Sequence, residues 1–289
     1  MNKKPHPVLP YFVAIFCVST LYHWTDLATV FGDHISDIIF FPRIIIDLLL
    51  LMILQIIPFL LLSKMGMVAG MPQRPSYLPI NSDNYDNFIE FLDLGLNTQA
   101  LAEYTLALED LCFVHLMDFK YQDEKIKTAP CFGRLFLHPE LNCFVEVSQI
   151  FHTSKSFMTM RYVFISLFVD DWSLSSSNSQ ISRFLRAISY LGRSPRDLEM
   201  THLHTTIAEL LQLHLENRHK IASNLGLMVK TNLDAETFIH KEKEHSRLRY
   251  QILRQKNTFV IFWGLLSFML HPKSQWLGDY SALRCNKVQ

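Results

Sequence analysis

The chain has 289 residues, 49% of them hydrophobic, and its 27 basic and 27 acidic side chains give a formal net charge of zero. This balance lacks the basic excess of a nucleic-acid-binding protein, so we expect no nucleic-acid partner. The length accommodates a membrane part and one further domain of ordinary size. Five scattered cysteines without a Cys-x-x-Cys pair indicate buried free thiols rather than a disulfide framework or a zinc site.

Two apolar stretches near the start predict transmembrane helices, at about residues 8–24 and 38–62. A helix needs about 20 mostly apolar residues to cross a hydrocarbon core of about 30 Å; the second stretch satisfies this requirement and the first approaches it. Lysines precede the first stretch, and a lysine and an arginine follow the second, whereas the link between them contains three aspartates and no Lys or Arg. The positive-inside rule therefore predicts a helical hairpin in residues 1–70 with both ends in the cytoplasm.

An ion pair between Arg43 and Asp47 is predicted inside the second span. Side chains four positions apart share a helix face, and near the bilayer interface the arginine can extend toward water while it neutralises the aspartate. Ionisable residues within a span are also functional candidates. The pair therefore supports one hypothesis of function, an accessory subunit of a membrane transport complex.

The remaining chain divides into three parts. Prolines mark residues 71–82 as a semi-extended linker, residues 83–257 predict a cytoplasmic α+β domain, and residues 258–289 predict an apolar helix with a short tail. Within the domain, strands come first and helices follow. This order favours an α+β fold over repeated βαβ units.

Runs rich in β-branched and aromatic residues predict an antiparallel meander of four or five strands covered by helices. The runs lie at residues 104–108, 111–121, 131–138, 143–153 and 157–169. The last run has large apolar residues at odd and even positions, which is typical of a central strand covered on both faces. We interpret Asp170, Asp171 and the serines after them as a polar turn that caps the next helix. The alternative is a carboxylate pair that binds a cation or acts as acid and base.

Four helices are predicted in the domain from apolar spacing and capping signals. The signals are Ser82 or Asp83 and Gly95 at the ends of the first helix, Gly192 at the end of the second, Thr206 with Glu209 at the start of the third, and Asp234 at the start of the fourth.

Residues 258–270 contain no charged residue and are predominantly apolar, but thirteen residues are too few for a comfortable span. Trp263 and Trp276 favour a helix that contacts the membrane interface over one buried in the domain. Residues 77–180 contain 14 acidic and 6 basic side chains, whereas residues 181–257 contain 8 and 13. The basic part can attract anionic lipid, or the two parts can neutralise each other within one fold.

Thirteen histidines raise the hypothesis of a metal site. His202 and His204 alternate as they would on one face of a strand, and with His214 and Glu209 they form a donor set of the type that binds zinc. The metalloprotease and deaminase signatures are missing from the sequence. We therefore favour solvated or core histidines and expect no cofactor.

The sequence predicts a multi-pass membrane protein with a cytoplasmic domain whose role is binding. We expect a membrane-anchored interaction or regulatory module, with a membrane lipid surface, or a membrane or cytoplasmic protein, as its partner. The alternatives are a membrane-bound hydrolase or metalloenzyme that uses the region from His202 to His219, and the transport-complex subunit. No nucleophile motif decides whether the protein is an enzyme.

Overall fold

The computed structural model describes residues 75–80, 85–123, 130–151, 160–178, 183–273 and 275–276. They form an α+β domain around a mostly antiparallel sheet. The predicted transmembrane hairpin, with Arg43 and Asp47, lies outside these residues. Among the helices that the structure describes, none combines the length and the apolar character needed to cross a membrane.

The described part of the chain contributes eight strands and six α-helices. The strands are β1 (Pro75–Pro79), β2 (Val114–Asp123), β3 (Cys131–His138), β4 (Cys143–Ile150), β5 (Arg161–Leu167), β6 (Ser173–Ser177), β7 (Asp197–Thr201) and the two-residue β8 (Gln275–Trp276). The helices are α1 (Tyr85–Asp93), α2 (Thr98–Asp110), α3 (Arg183–Gly192), α4 (Ile207–Leu225), α5 (Ala235–Gln255) and α6 (Thr258–Leu270). The 3-10 turn Val169–Asp171 separates β5 from β6.

The strands lie in the sheet in chain order, from β1 at one edge to β8 at the other. Neighbours are antiparallel except for β6 and β7, which run parallel. A parallel pair needs a crossover connection, and α3 lies in that connection. The sequence predicts the meander, whereas this βαβ unit at its end is a finding of the structure.

One face of the sheet, called face A, packs against α1, α2 and α4. Its core is largely aromatic: Phe132, Phe136 and Phe164 are completely buried. Each large apolar side chain buried in this way contributes about 1.5–3 kcal/mol relative to its exposed state. Strand β5 is central and covered on both faces, as predicted, because Phe164 faces the face A core while Ile165 packs into the opposite one.

The opposite face, called face B, is divided into an apolar half and a polar half. In the apolar half, Phe119 and Phe144 pack against Phe238 of α5, with ring centroids 6.2 and 5.6 Å from it. In the polar half, β6 and β7 present serine hydroxyls and carboxylates to the same helix. Helix α5 therefore covers both the apolar half and the polar half of face B.

The serine-rich stretch forms β6, so the predicted helix-capping turn is wrong for these residues. Asp170 and Asp171 do form a turn, and both have positive φ angles, 66° and 61°. After it, Ser173 and Ser176 are 7% and 0% exposed within the sheet. Serine favours turns because its hydroxyl competes for backbone hydrogen bonds. Here those hydroxyls bond instead to Asp197 and to His214, both at 2.9 Å.

Two further predictions are corrected by the structure. Residues 104–108 lie inside α2, which begins where the Asn97 side chain accepts a hydrogen bond from the Ala100 amide at 3.0 Å. The buried residues of α2, Leu101 and Leu108, lie seven positions apart, which is a helical spacing. Strand β1 falls within the predicted linker and pairs with β2 as an edge strand, a position that tolerates its prolines.

The capping signals located the helix ends correctly where the structure describes them. Thr206 and Glu209 form the reciprocal capping box at the start of α4, and the Asp234 side chain accepts a hydrogen bond from the Thr237 amide at the start of α5. Helix α3 ends at Gly192, and Gly95, with a φ of 88°, follows α1. Local chemistry therefore determines these boundaries.

We predict that Gly133→Ala lowers the free energy of unfolding by about 1–3 kcal/mol, because the new methyl group would overpack the core. A Cβ at Gly133 would lie 2.3 Å from the Phe119 ring. Chemical denaturation followed by tryptophan fluorescence measures the change. Adding Phe119→Leu removes the ring that the methyl group meets, so the double variant should be more stable than the sum of the single effects. Simple additivity would contradict this packing.

Candidate functional site

Helix α6 has apolar side chains around its whole circumference. It begins after Asn257, whose side chain accepts a hydrogen bond from the Phe259 amide at 2.8 Å. One side packs on the domain, where Ile261 and Phe268 are 1% and 2% exposed. The contact with α3 is close, since a Cβ at Gly264 would lie 2.5 Å from the Leu191 side chain. A helix that is apolar all round is normally buried on all sides.

The other side of α6 is exposed, and we call it the α6 apolar face. Its members are Phe259, Val260, Trp263, Leu266, Met269 and Leu270. Trp263 and Leu270 are 62% and 65% exposed. Scattered exposed hydrophobic residues are ordinary, but a contiguous group of this kind marks a surface that contacts a protein or a membrane.

A groove of about 380 Å³ runs between α3 and α6 beside this face. Tyr190 and Leu191 form its α3 wall, and residues of α6 from Phe259 to Phe268 form the other wall. His271 and Lys273 lie at the end of the groove, and no acidic side chain lines it in the described structure. An apolar groove with a cationic end fits an amphiphile with a negative head.

Four cationic side chains surround the C-terminal end of α3, and we call them the Tyr190 cluster: Arg186, Arg193, Lys256 and Lys273. The Arg193 guanidinium lies 3.9 Å from the centre of the Tyr190 ring and donates to the Tyr190 carbonyl at 2.6 Å. The Lys273 ammonium donates to the Tyr190 hydroxyl at 3.2 Å. Lys256 donates to the Leu191 carbonyl at 2.6 Å, and Arg186 to the Lys273 carbonyl at 2.8 Å.

Two pKa shifts report how concentrated this positive charge is. Burial alone would raise the pKa of Tyr190, but the Lys273 hydrogen bond and the Arg193 charge bring that pKa below its ordinary value. Burial lowers the pKa of Lys256, and the charge of Arg193 lowers it further. Both shifts have the sign expected beside closely spaced positive charges.

The candidate metal ligands lie in different settings. His214 is completely buried, and its two ring nitrogens form hydrogen bonds with Ser166 and Ser176 at 2.8 and 2.9 Å. Glu209 is engaged in the capping box of α4. His214 therefore lies in the core with both ring nitrogens engaged, and metal binding there would require both serine bonds to break.

The paired placement of His202 and His204 on a strand is wrong, because β7 ends at Thr201. His204 has a φ of 63°, which turns the chain out of the extended conformation. Across the described residues, no three His, Cys, Asp or Glu side chains are grouped so that they could hold a metal ion.

The described cysteines are all free thiols. Cys131 and Cys143 are buried, as predicted, whereas Cys112 is exposed. Burial raises the pKa of Cys131 to about 12 and that of Cys143 to about 11. A thiol with such a pKa stays protonated near neutral pH and is a poor nucleophile.

Comparison with known proteins adds no functional assignment: no protein-family model matches the chain, and no curated protein or solved structure is significantly similar to it.

We predict that His214 makes the folded state sensitive to acid. Burial lowers its pKa to about 3, whereas an unfolded histidine titrates near pH 6.5. Between these values only the unfolded chain binds the proton, so the free energy of unfolding should fall by up to about 1.4 kcal/mol per unit as the pH drops below about 6.5. Denaturation at several pH values measures this slope.

The His214→Gln variant keeps a hydrogen-bonding side chain without the titration, so its slope over the same range should be smaller. His219→Gln changes an exposed histidine on the same helix and serves as the control. Equal slopes for wild type and His214→Gln would contradict the prediction.

Proposed function

We propose that the protein is a membrane-anchored interaction module whose domain docks on an anionic lipid surface through α6. The α6 apolar face inserts at the level of the headgroups and acyl-chain ends, and the Tyr190 cluster binds lipid phosphates. One observation carries the proposal: the exposed apolar face of α6 lies directly beside a cluster of cations.

The length of α6 favours a position in the interface. Thirteen residues correspond to about 20 Å of helix, which is shorter than the hydrocarbon core of about 30 Å. Each buried methylene group contributes about 0.8 kcal/mol to membrane binding, and each nearby basic residue about 1 kcal/mol. Trp263 suits the interface because its ring is apolar and its N–H is polar.

The sequence before the domain supports the same proposal. Residues 38–62 predict a membrane span, and twelve residues separate it from Pro75, where β1 begins. A domain on so short a tether remains near the bilayer when the span is inserted, which raises the local concentration of lipid around it. A weak docking surface is then sufficient.

A protein partner would also cover the α6 apolar face, but it would not require phosphate groups next to the Tyr190 cluster. The two cases therefore differ in their dependence on lipid charge and on salt, since ionic contacts at a surface weaken as salt screens them.

We predict that a fluorophore on α6 enters an apolar environment when anionic lipid is present. An environment-sensitive label is attached to a cysteine replacing Leu266, in the full chain with its native cysteines substituted. The chain is reconstituted into nanodiscs of phosphatidylcholine alone or with phosphatidylglycerol. The emission should shift to shorter wavelength only with phosphatidylglycerol, and Lys273→Gln should reduce the docked-to-undocked ratio about fivefold, which corresponds to about 1 kcal/mol.

The surface is tested with Leu270→Ser, matched by Leu106→Ser, because the two leucines are 65% and 62% exposed. Only the α6 substitution should abolish the emission shift. A label on a cysteine at Glu216, on the exposed side of α4, should not respond to lipid. Identical spectra in both lipid mixtures would refute docking, and a shift that is insensitive to lipid charge would refute the role of the cluster.

A further inference from the structure

The polar half of face B encloses a cleft of about 190 Å³ between the sheet and helices α3 and α5. Its floor is formed by Ser173, Ser175 and Ser177, alternate residues of β6 that point to the same side of the sheet. The cleft does not include the α6 apolar face. We call it the polar cleft.

Two acid–base pairs in the polar cleft satisfy each other. Glu146 of β4 lies 3.8 Å from the Arg161 guanidinium of β5. Asp197 of β7 forms a short hydrogen bond with His245 of α5 and also accepts one from Ser173 at 2.9 Å. The first pair joins two neighbouring strands, and the second joins β7 to α5.

Glu199 and Arg249 line the same cleft but are not paired in this way. No described residue forms an ion pair or hydrogen bond with either side chain, and the Arg249 Nε is buried without an acceptor. Burial raises the pKa of Glu199, although nearby guanidinium groups, with Arg249 first among them, oppose the rise. A buried donor without an acceptor is costly, which makes Arg249 a candidate for a ligand contact, and the half-buried Glu199 carboxylate lines the same cleft.

The charge of the cleft wall indicates what kind of molecule would fit. Besides His245, which is bonded to Asp197, four acidic side chains and four lysines or arginines line it: Glu146, Asp197, Glu199 and Glu242 against Arg161, Arg193, Lys241 and Arg249. A purely anionic ligand would meet as many carboxylates as cations, and a purely cationic one would meet as many cations as carboxylates. A molecule that carries both charges avoids this repulsion.

We propose that the polar cleft binds a small zwitterion of the α-amino-acid class, with its carboxylate on Arg249, its ammonium group on Glu199 and its remaining polar atoms on the β6 serines. A guanidinium can hold a carboxylate through two parallel hydrogen bonds. Serine hydroxyls donate and accept, so they suit either end of the ligand. The volume admits a small amino acid.

Thermal unfolding of the purified full chain in detergent, without added lipid, tests the site. The probes are the standard α-amino acids at millimolar concentration, each compared with the carboxylic acid that lacks its amino group and the amine that lacks its carboxylate. A ligand that binds only the folded state raises the unfolding temperature. We expect at least one amino acid to do so, and its two half-ligands to have little effect. No lipid is present in this experiment, so a failure of membrane docking would not change its result.

For the stabilising amino acid, titration calorimetry should show at least tenfold weaker binding to Glu199→Gln and to Arg249→Gln. Arg247→Gln, an exposed change on the same helix, should bind like wild type. Ser175→Leu fills the floor of the cleft and should also abolish binding, with the circular dichroism spectrum unchanged.

The proposal is overturned if no amino acid stabilises the wild-type chain, if inorganic phosphate alone stabilises it, or if half-ligands stabilise it equally. It is also overturned if folded Glu199→Gln and Arg249→Gln variants bind with wild-type affinity. The wild-type comparison of amino acids with half-ligands decides the question even where a variant does not fold.

Discussion

The carboxylate of Asp197 joins three parts of the fold. It accepts hydrogen bonds from the Ser173 hydroxyl of β6 at 2.9 Å and the Ser194 amide after α3 at 3.1 Å, and it pairs with His245 of α5. Burial would raise the pKa of this group, but the His245 and Ser173 bonds lower it below its usual value. The parallel strand pair, its crossover and the covering helix therefore meet at one ionised side chain. Leaving such a group without partners typically costs about 3–5 kcal/mol.

This arrangement explains how a highly charged helix can cover a sheet. Helix α5 buries only Phe238 and Leu253 completely, near its two ends. Phe238 anchors it on the apolar half of face B, and Leu253 anchors it against the α3 and α6 side. The middle of the helix is left to face the serines and carboxylates of β6 and β7. Apolar contacts near the two ends of α5 thus hold its polar middle segment against the sheet. The space between that segment and the sheet can therefore be lined by polar side chains.

The success of the sequence predictions depended on how local each signal was. Strand β3 was predicted at its observed bounds, and Thr206 and Asp234 marked helix starts, because neighbouring residues determine these features. Strand β6 was missed because serine resembles a turn residue until Asp197 and His214, distant in sequence, supply bonding partners.

The candidate sites also differ in whether neighbouring residues or residues distant in sequence form them. The apolar character of α6 is evident from thirteen consecutive residues, whereas the Tyr190 cluster draws Arg186, Arg193, Lys256 and Lys273 from three separate segments. The basic excess of residues 181–257 was the available signal, but it could not locate the cluster. Glu199 and Arg249 become neighbours only through the docking of α5 on β7, so no spacing in the chain relates them.

Strand β8 gives α6 a mechanical property that a terminal helix would lack. After α6 the chain returns to the sheet, where Trp276 pairs with Glu199 and Gln275 with Met200. Helix α6 is therefore attached to the domain at both ends, by α5 before it and by β8 after it. Because both ends are attached, α6 cannot move independently of the domain. A surface that binds α6 therefore also determines the angle of the sheet to that surface. Contact at α6 would therefore determine the orientation of the whole domain, including the direction in which the opposite sheet edge, β1, faces.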